Sequence, residues 1–284
     1  MIPSQNIVAW ANVVPWVEPR QVEQDLIISR ALVEMFGDPI LRESLRCRGG
    51  TALNKLHVPT PVRYSEDIDL VRTSTGPIGS IVDRLRAALE PWLGEARFAQ
   101  SPVAPKLRFR AEPDDSGVPI RLKIEINTRD IQAFDQPVAR RLEIANPWFN
   151  GQADIPTFSP EEMLATKLRA LLQRNKGRDL YDLAYGLTTL ESLDVDRIVE
   201  LFSYYMESSG TSISRAQAQE RMFAKLANPN LWLDVRPLLP ADRAVTATVA
   251  AQYFRRVFEE LVDRLPGQPW ARTPAMKARF GIEW

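Results

Sequence analysis

The sequence predicts an α+β fold in two parts: a mixed sheet with flanking helices over residues 1–157, then a helical C-terminal part over residues 158–284. The sheet is predicted from Lys106–Ala111 and Ile120–Asn127, which alternate apolar and polar residues as half-buried strands do. The helical part is predicted because its apolar residues recur three and four positions apart. The boundary between the two parts is placed near residue 157, after which the apolar residues follow the spacing of helices and no longer that of strands.

The elements before these strands follow from apolar spacing and from helix-breaking residues. Apolar residues at near-helical spacing before a Gly-Asp-Pro break predict a helical region, and a segment that ends in paired glycines is predicted to be a short strand or turn. The predicted elements are a helix over Pro19–Leu45 interrupted at Gly37–Pro39, a strand or turn over Arg46–Thr51, a strand over Ser65–Val71 and a helix over Ile78–Leu93.

Two further signals complete the predicted organisation. Residues 113–117 (PDDSG) are turn formers between the two alternating strands, so these strands are expected to form a hairpin. Ser159, Pro160 and Glu162 match the residue types favoured at a helix start, with serine as N-cap and glutamate at the third position. The first helix of the second part is therefore expected to begin there.

Composition excludes several classes of protein. Lys+Arg and Asp+Glu both number 36, so the chain has no overall positive charge, and nucleic-acid binding would need local basic patches. The single cysteine, Cys47, excludes an internal disulfide and is typical of a reducing compartment. With one histidine, His57, a metal site would need carboxylate ligands, which favours Mg²⁺ or Mn²⁺.

The sequence contains no obvious membrane or export signal. Its N-terminus lacks the positive start and apolar core of a signal peptide. No apolar run is long enough to cross a bilayer. We therefore expect a cytoplasmic protein that does not bind membranes.

The strongest functional signal is a pair of aspartates on a predicted strand. Alternate side chains of a strand share a face, so Asp67 and Asp69 point the same way, and a divalent cation would relieve their repulsion. A small turn at Gly49 and Gly50 lets backbone N–H groups approach a triphosphate. These are the requirements of phosphoryl-transfer chemistry, with metals held by carboxylates and phosphates held by a loop.

A third acidic residue completes the candidate site. In the strand Ile120–Asn127, Glu125 lies on the polar face and is a candidate third metal ligand or the base that takes a proton from an acceptor hydroxyl. A D-x-D strand or a Gly-Gly turn alone has little specificity, because exposed strands and turns often contain these residues. Their order along one chain is much more specific.

The first helix of the second part contributes a lysine. Lys167 lies four residues after Met163 and four before Leu171, inside the predicted apolar stripe. It either extends its ammonium to solvent or meets an anion such as a triphosphate. Arg178, Asp179 and Asp182 follow, and they could orient Lys167, contact a nucleotide or only join helices by ion pairs.

These motifs resemble those of a known family. GGTAL at 49–53 and RYSEDIDL at 63–70, with the later lysine and KGRDLYDL at 176–183, are similar to the AbiEii/AbiGii toxin family, which includes the mycobacterial MenT toxins. That family belongs to the polymerase-beta-like nucleotidyltransferase superfamily. The resemblance covers roughly residues 20–190 and implies that fold, with Lys167 and KGRDLYDL of the helical part contributing to the active site.

The resemblance also implies an activity and partners. It implies transfer of a nucleoside monophosphate from an NTP to RNA, with tRNA acceptor ends as the family's known target, and a separately encoded antitoxin. Together, the motifs and the resemblance assign Asp67, Asp69, Glu125, Lys167 and Asp179 as catalytic, with the first three holding Mg²⁺ or Mn²⁺. They assign nucleotide binding to Gly49, Gly50, Thr51, Arg63, Ser65, Lys167 and Arg178.

Other functions remain open at this stage. The acceptor could instead be a protein hydroxyl or a small molecule, and a degenerate transferase could act only as a binding module. RNA is favoured by basic residues in the helical part, which could contact an acceptor stem or could simply be solvated. These residues are Arg255, Arg256 and Arg264, expected on one helix, and Arg272, Lys277 and Arg279 near the C-terminus.

Overall fold

A computed structural model describes residues 2–111, 119–240 and 242–282. The chain divides into two compact units, Met1–Ser159 and Pro160–Trp284. This division lies two residues after the boundary drawn from the sequence. The predicted hairpin turn at residues 113–117 lies outside the described residues.

The first unit contains a mixed sheet of seven strands. The strands are β1 (Leu45–Arg48), β2 (Asp67–Arg72), β3 (Arg97–Ala99), β4 (Lys106–Ala111), β5 (Ile120–Asn127), β6 (Val138–Asn146) and β7 (Phe149–Thr157). Their order across the sheet is β3-β4-β5-β2-β1-β7-β6. The pairs β2–β5 and β1–β7 are parallel, and the other neighbouring pairs are antiparallel. The predicted mixed sheet is confirmed.

Helices flank this sheet. They are α1 (Ser4–Ala11), α2 (Pro19–Gly37), α3 (Pro39–Ser44), α4 (Gly49–Ala52), which continues as a π-helical turn (Leu53–His57), and α5 (Gly79–Leu93). The predicted break between α2 and α3 is present, and the Asp38 side chain caps α3 by accepting hydrogen bonds from the backbone N–H groups of Ile40 and Leu41. Helix α1 was not predicted from the sequence.

Strand alternation separates a core face of the sheet from an exposed face. On β4 and β5, Leu107, Phe109, Leu122 and Ile124 are buried, and the residues between them are exposed or partly exposed. Helix α2 is buried along much of its length and packs on β5, β6 and β7. Burial of these apolar side chains supplies the main stabilisation of the unit. The polar side chains are thereby left on the other face.

The second unit is helical, and its described residues contain no strand. Its helices are α6 (Pro160–Gln173), α7 (Gly177–Thr189), α8 (Val195–Ser208), α9 (Arg215–Leu226), α10 (Ala247–Glu260) and α11 (Thr273–Arg279), with 3₁₀ turns at Leu231–Asp234, Arg236–Leu238 and Val262–Arg264. Phe223, Phe254 and Phe258 are fully buried, with ring centroids 5.2 to 5.5 Å apart. These aromatic contacts join α9 to α10. Helix α6 begins at Pro160, as predicted.

None of the helices in the described ranges is long and apolar enough to cross a membrane.

Candidate active site

Three carboxylates lie on the exposed face of the sheet, on its two central parallel strands. Asp67 and Asp69 alternate with buried Ile68 and Leu70 on β2, so both point to that face. Strand β5 runs parallel to β2 and places Glu125 directly beside Asp69. The structure therefore brings together the three acidic residues that the sequence singled out.

Two lysines, not singled out from the sequence, contact these carboxylates. The Nζ atom of Lys123 lies 2.7 Å from Oδ2 of Asp67 and 3.5 Å from Oε2 of Glu125. The Nζ atom of Lys106, on β4, lies 3.3 Å from the same Glu125 oxygen. Burial alone would lower the pKa of Lys123, but its hydrogen bond to Asp67 and the nearby carboxylates outweigh burial and raise it. Lys123 is therefore a cation held between two acids.

The carboxylates fit a hard divalent cation by their chemistry. Across the ranges 2–111, 119–240 and 242–282, no three acidic, histidine or cysteine side chains are grouped so that they could hold a metal as they stand. Asp67 and Glu125 nevertheless both lie within 3.5 Å of one positive charge, the Lys123 ammonium. Carboxylate oxygens are ligands that Mg²⁺ and Mn²⁺ prefer. The chemistry of these side chains therefore suits such an ion.

The paired glycines follow β1 immediately and begin α4. Gly49 has φ +78°, a conformation that favours glycine, and a Cβ atom there would overlap Oδ2 of Asp69. A Cβ atom on Gly50 would overlap the Arg63 guanidinium. Because β1 pairs Arg48 with Asp69, the helix start that follows this strand lies beside the three carboxylates. Glycine is required here for close approach to a carboxylate.

Gly49→Ala is expected to reduce nucleotidyl transfer about a hundredfold or more. The added methyl group displaces Asp69, and the positive φ adds a strain of about 1 kcal/mol or more. Transfer rate and urea unfolding should be measured for both this variant and Gly79→Ala, where a Cβ atom meets nothing within 4 Å. Equal activity of the two variants would show that Asp69 tolerates displacement.

The remaining nucleotide-binding candidates of this unit are Thr51, Ser65 and Arg63, which make hydrogen bonds near the glycine turn. The Thr51 hydroxyl is buried, lies 2.7 Å from the Ser65 hydroxyl and donates to the backbone carbonyl of Asp67. Arg63 is also buried and donates to the carbonyl of Tyr64. Their burial suits anchoring of the loop before β2, whereas the sequence suggested direct contact with phosphate.

Asn54 joins the two ends of this loop. Its side-chain oxygen accepts hydrogen bonds from the backbone N–H groups of Val62 and Arg63, and its amide donates to the carbonyl of Gly50. Asn54 was not identified from the sequence, because nothing in a helical segment marks an asparagine as a bridge to a distant loop. Asn54 thus ties the glycine turn to the loop that precedes β2.

The candidate residues of the second unit form buried ion pairs. Lys167 lies on α6 with Nζ 2.6 Å from Oδ2 of Asp182 on α7, and both side chains are buried. Asp179 is buried and accepts two hydrogen bonds from Arg174, at 2.7 and 2.8 Å. Of the alternatives left open, orientation of Lys167 by Asp182 matches this geometry.

Arg178 has a different environment from that of Asp179. Its Nε lies 3.8 Å from Oδ2 of Asp234, and Oδ1 of the same carboxylate accepts a hydrogen bond from the Gly177 backbone N–H at 2.8 Å. A Cβ atom at Gly177 would overlap the carbonyl of Leu231. Glycine at this position therefore allows the 3₁₀ turn Leu231–Asp234 to lie close to the start of α7. The geometry gives Arg178 a role in joining these segments; its predicted contact with a nucleotide stays a prediction.

Three of the basic residues proposed for RNA contact, Arg255, Arg256 and Arg264, are paired with acids. Arg255 and Arg256 on α10 each pair with a glutamate four residues later, and Arg264 pairs with Asp196 at 2.7 Å. The expectation of all three arginines on one helix was wrong, because α10 ends at Glu260 and Arg264 lies in a 3₁₀ turn. These pairs reduce the positive charge available to RNA.

The buried His57 makes stability depend on pH. Burial, together with Arg140, lowers the pKa of His57 to about 4. Above pH 6.5 the ring is neutral in both the folded and the unfolded protein. Between about pH 6.5 and pH 4 the unfolded chain binds a proton that the folded chain does not, so the free energy of unfolding decreases as the pH is lowered. We expect wild type to lose about 2 kcal/mol more than His57→Gln between pH 7 and pH 4.5. Equal losses in urea unfolding would contradict this.

The fold is shared with solved structures, one of which is a nucleotidyltransferase toxin. MenT4, a nucleotidyltransferase toxin from Mycobacterium tuberculosis, superposes with a TM-score of 0.61 at 16% identity, covering 99% of both chains. JHP933 from Helicobacter pylori superposes with a TM-score of 0.55 at 15% identity, covering 94% of this chain and 97% of its own. These superpositions show that the chain shares its fold with both proteins.

The chain belongs to the AbiEii nucleotidyltransferase toxin family of type IV toxin–antitoxin systems, whose family model matches residues 30–263. The family resemblance predicted from the motifs is confirmed, and the match extends beyond residue 190 through most of the helical unit. A search among curated proteins found no match.

Proposed function

We propose that this protein transfers a nucleoside monophosphate from an NTP to RNA in a reaction that requires Mg²⁺ or Mn²⁺. The observation that supports the proposal most is the position of Asp67 and Asp69 on one strand face, with Glu125 directly beside Asp69. Membership of a nucleotidyltransferase toxin family supports the reaction type.

The proposed reaction forms one bond and breaks one. An acceptor hydroxyl oxygen attacks the α-phosphorus, the bond from that phosphorus to the bridging oxygen of the β-phosphate breaks, and pyrophosphate leaves. The hydroxyl proton passes to a base, for which Glu125 is the candidate on this face. A divalent cation bound by Asp67 and Asp69 would neutralise charge on the phosphates, and Glu125 would be its third ligand in the alternative where another group takes the proton.

Phosphate binding in the first unit is assigned to the start of α4. The backbone N–H groups at Gly49 and Gly50 begin a helical segment beside Asp69, and such positions favour anions. Lys167 is proposed as a point contact for a phosphate, with Asp182 holding its ammonium. Thr51, Ser65 and Arg63 act by keeping the glycine turn in place.

The cellular role is proposed from the family. A toxin of this type would modify RNA, with the tRNA acceptor end as the proposed target, and so block translation and growth. It would be controlled by a separately encoded antitoxin protein. Expression of the wild-type chain in bacteria should therefore slow growth, whereas an equal amount of the Asp69→Asn protein should not.

The proposal is tested by labelling. The protein is incubated with each α-labelled NTP, Mg²⁺ and either total RNA or total protein, and the labelled pool is identified. Label in RNA with wild type and none with Asp69→Asn is expected. Label found in protein, or only in a small molecule, would show that the acceptor is one of these alternatives and not RNA.

A further inference from the structure

We infer that the phosphate backbone of the acceptor binds in a basic groove on the exposed face of the sheet, formed by Arg97, Arg108, Arg110, Arg121 and Lys123. This inference rests on the proposed function, since it takes RNA as the acceptor. The groove, called the arginine groove below, has a volume of about 750 Å³ and also includes Asp67 in its lining. All of its residues belong to the first unit.

Strand register arranges these side chains in rows. Arg97 on β3 is paired with Arg108 on β4, Arg108 with Lys123 on β5, and Lys123 with Asp67 on β2. At about 4.8 Å per strand spacing, this row extends roughly 14 Å from the outer strand to the candidate catalytic aspartate. A second pair, Arg110 with Arg121, lies beside it. The groove is thus a continuous basic path that ends at the carboxylates.

The arginine groove is positively charged, although the chain as a whole has no net charge. Its lining has five basic residues and two acidic ones, Asp67 and Glu95, whereas the whole chain has a net charge of zero. Like charges directly opposite on neighbouring strands destabilise a sheet. Arg97, Arg108 and Arg121 are exposed, and within the described residues none has an ion pair. A bound polyanion would remove this repulsion.

The position of the groove distinguishes an acceptor site from a triphosphate site. In the strand order the carboxylates of β2 and β5 lie between β1, which leads into the glycine turn, and β4 and β3, which carry the arginines. In-line transfer needs the attacking oxygen and the leaving pyrophosphate on opposite sides of the phosphorus. With the triphosphate at the glycine turn, the acceptor therefore approaches from the arginine side.

The chemistry of the groove fits nucleic-acid phosphates better than a small acceptor. Exposed guanidinium groups bind phosphate oxygens in a bidentate manner, and several in a row match a chain of phosphates. Such contacts position a strand without reading its bases. We therefore expect binding that depends on salt and tolerates sequence, with the reacting end of the RNA placed at Asp67 and Asp69.

The inference is tested by direct binding of labelled bulk tRNA to the full-length protein between 50 and 200 mM KCl. The test variant is Arg97→Gln/Arg108→Gln/Arg121→Gln. The matched variant, Arg141→Gln/Arg255→Gln/Arg256→Gln, removes the same charge elsewhere. At low salt the test variant should lose affinity at least about a hundredfold, and its log–log salt slope should decrease in magnitude by about 2 to 3.

Stability and NTP affinity serve as controls. Because the removed charges face like charges, the urea unfolding midpoint of the test variant should stay the same or rise, and its NTP affinity should change much less than its tRNA affinity. A loss of tRNA affinity without unfolding then assigns the effect to the groove.

Three results would overturn the inference. The test variant could keep the tRNA affinity and the salt slope of wild type, or the matched variant could lose as much tRNA affinity as the test variant. The test variant could also lose only the binding of poly-glutamate, which would assign the groove to an acidic protein.

Failure of the proposed function is a separate result. If the test variant loses tRNA binding but wild type labels no RNA, the groove stands and the assigned reaction is wrong.

Discussion

Asp69→Asn is expected to lower nucleotidyl transfer by at least about a thousandfold, because it removes a negative charge from the centre of the candidate site while keeping the size of the side chain. Asp69 lies beside Glu125 on the neighbouring strand, and Gly49 leaves the space it occupies. Asp67→Asn should have an effect of the same order. The measurement is the initial rate of pyrophosphate release with saturating NTP and Mg²⁺.

The matched control is Glu66→Gln, which neutralises an exposed carboxylate next to Asp67 in the chain. It should keep nearly full activity. Folding should be preserved in all three variants. In particular, the Asp67–Lys123 pair is about a third exposed on each side, so its loss should cost about 1 kcal/mol or less. Substantial activity in both aspartate variants would exclude these residues as metal ligands.

Lys167→Met is expected to destabilise the protein by about 3 to 5 kcal/mol, because it removes the ammonium paired with the fully buried Asp182 carboxylate. The opposite effect would be expected of a lysine without a partner, since a lone lysine in an apolar stripe has a desolvation cost that methionine would avoid. The structure corrects this expectation by placing an acidic partner 2.6 Å away.

The control for this prediction is the double variant Lys167→Met/Asp182→Leu. Replacing both charges by apolar groups of similar size removes the uncompensated charge, so most of the lost stability should return. Urea unfolding of the two single variants and the double variant measures the coupling between them. If the single Lys167→Met variant is as stable as wild type, the buried pair does not contribute to folding.

NTP binding separates the two roles of Lys167. If the lysine contacts a phosphate, the double variant should fold normally and still bind NTP at least about tenfold more weakly than wild type. Normal NTP affinity in the stable double variant would leave Lys167 with a structural role only.

The strands that carry the site were predictable because they have one buried face. Alternation in β2 and β5 located Asp67, Asp69 and Glu125 on one side of the sheet, and this depends only on the two-residue period of a strand. The same rule missed β6 and β7. Residues on β6 are exposed along much of its length, and β7 contains glycine and proline, so neither shows a clear apolar period.

Partners across strands and helices could not be predicted from the sequence. The contact of Lys106 with Glu125 depends on the register of β4 against β5, and that of Lys123 with Asp67 on the parallel pairing of β5 with β2. Likewise, Asp182 was known to share a helical segment with Asp179, but its contact with Lys167 depends on how α6 and α7 pack. Register and packing arise from the whole fold.

The arrangement of the arginines in rows also could not be predicted from the sequence. Arg108 and Arg121 stand on alternating strands that were predicted correctly, yet only the order of β3, β4 and β5 places them beside each other and beside Asp67. From the sequence, the basic residues of the C-terminal part were the more visible candidates for RNA binding. Ion pairs with Glu259 and Glu260 reduce the free charge of two of them.

The central claim is that this protein transfers the α-phosphoryl group of an NTP, with its nucleoside, to RNA. The most direct measurement compares α-labelled with γ-labelled NTP in the same reaction with tRNA and Mg²⁺, using wild type and Asp69→Asn. Nucleotidyl transfer predicts α-label in the RNA, γ-label only in released pyrophosphate, and neither product with Asp69→Asn or with EDTA. Label from the γ-position in the RNA, or equal α-labelling by wild type and Asp69→Asn, would contradict the claim.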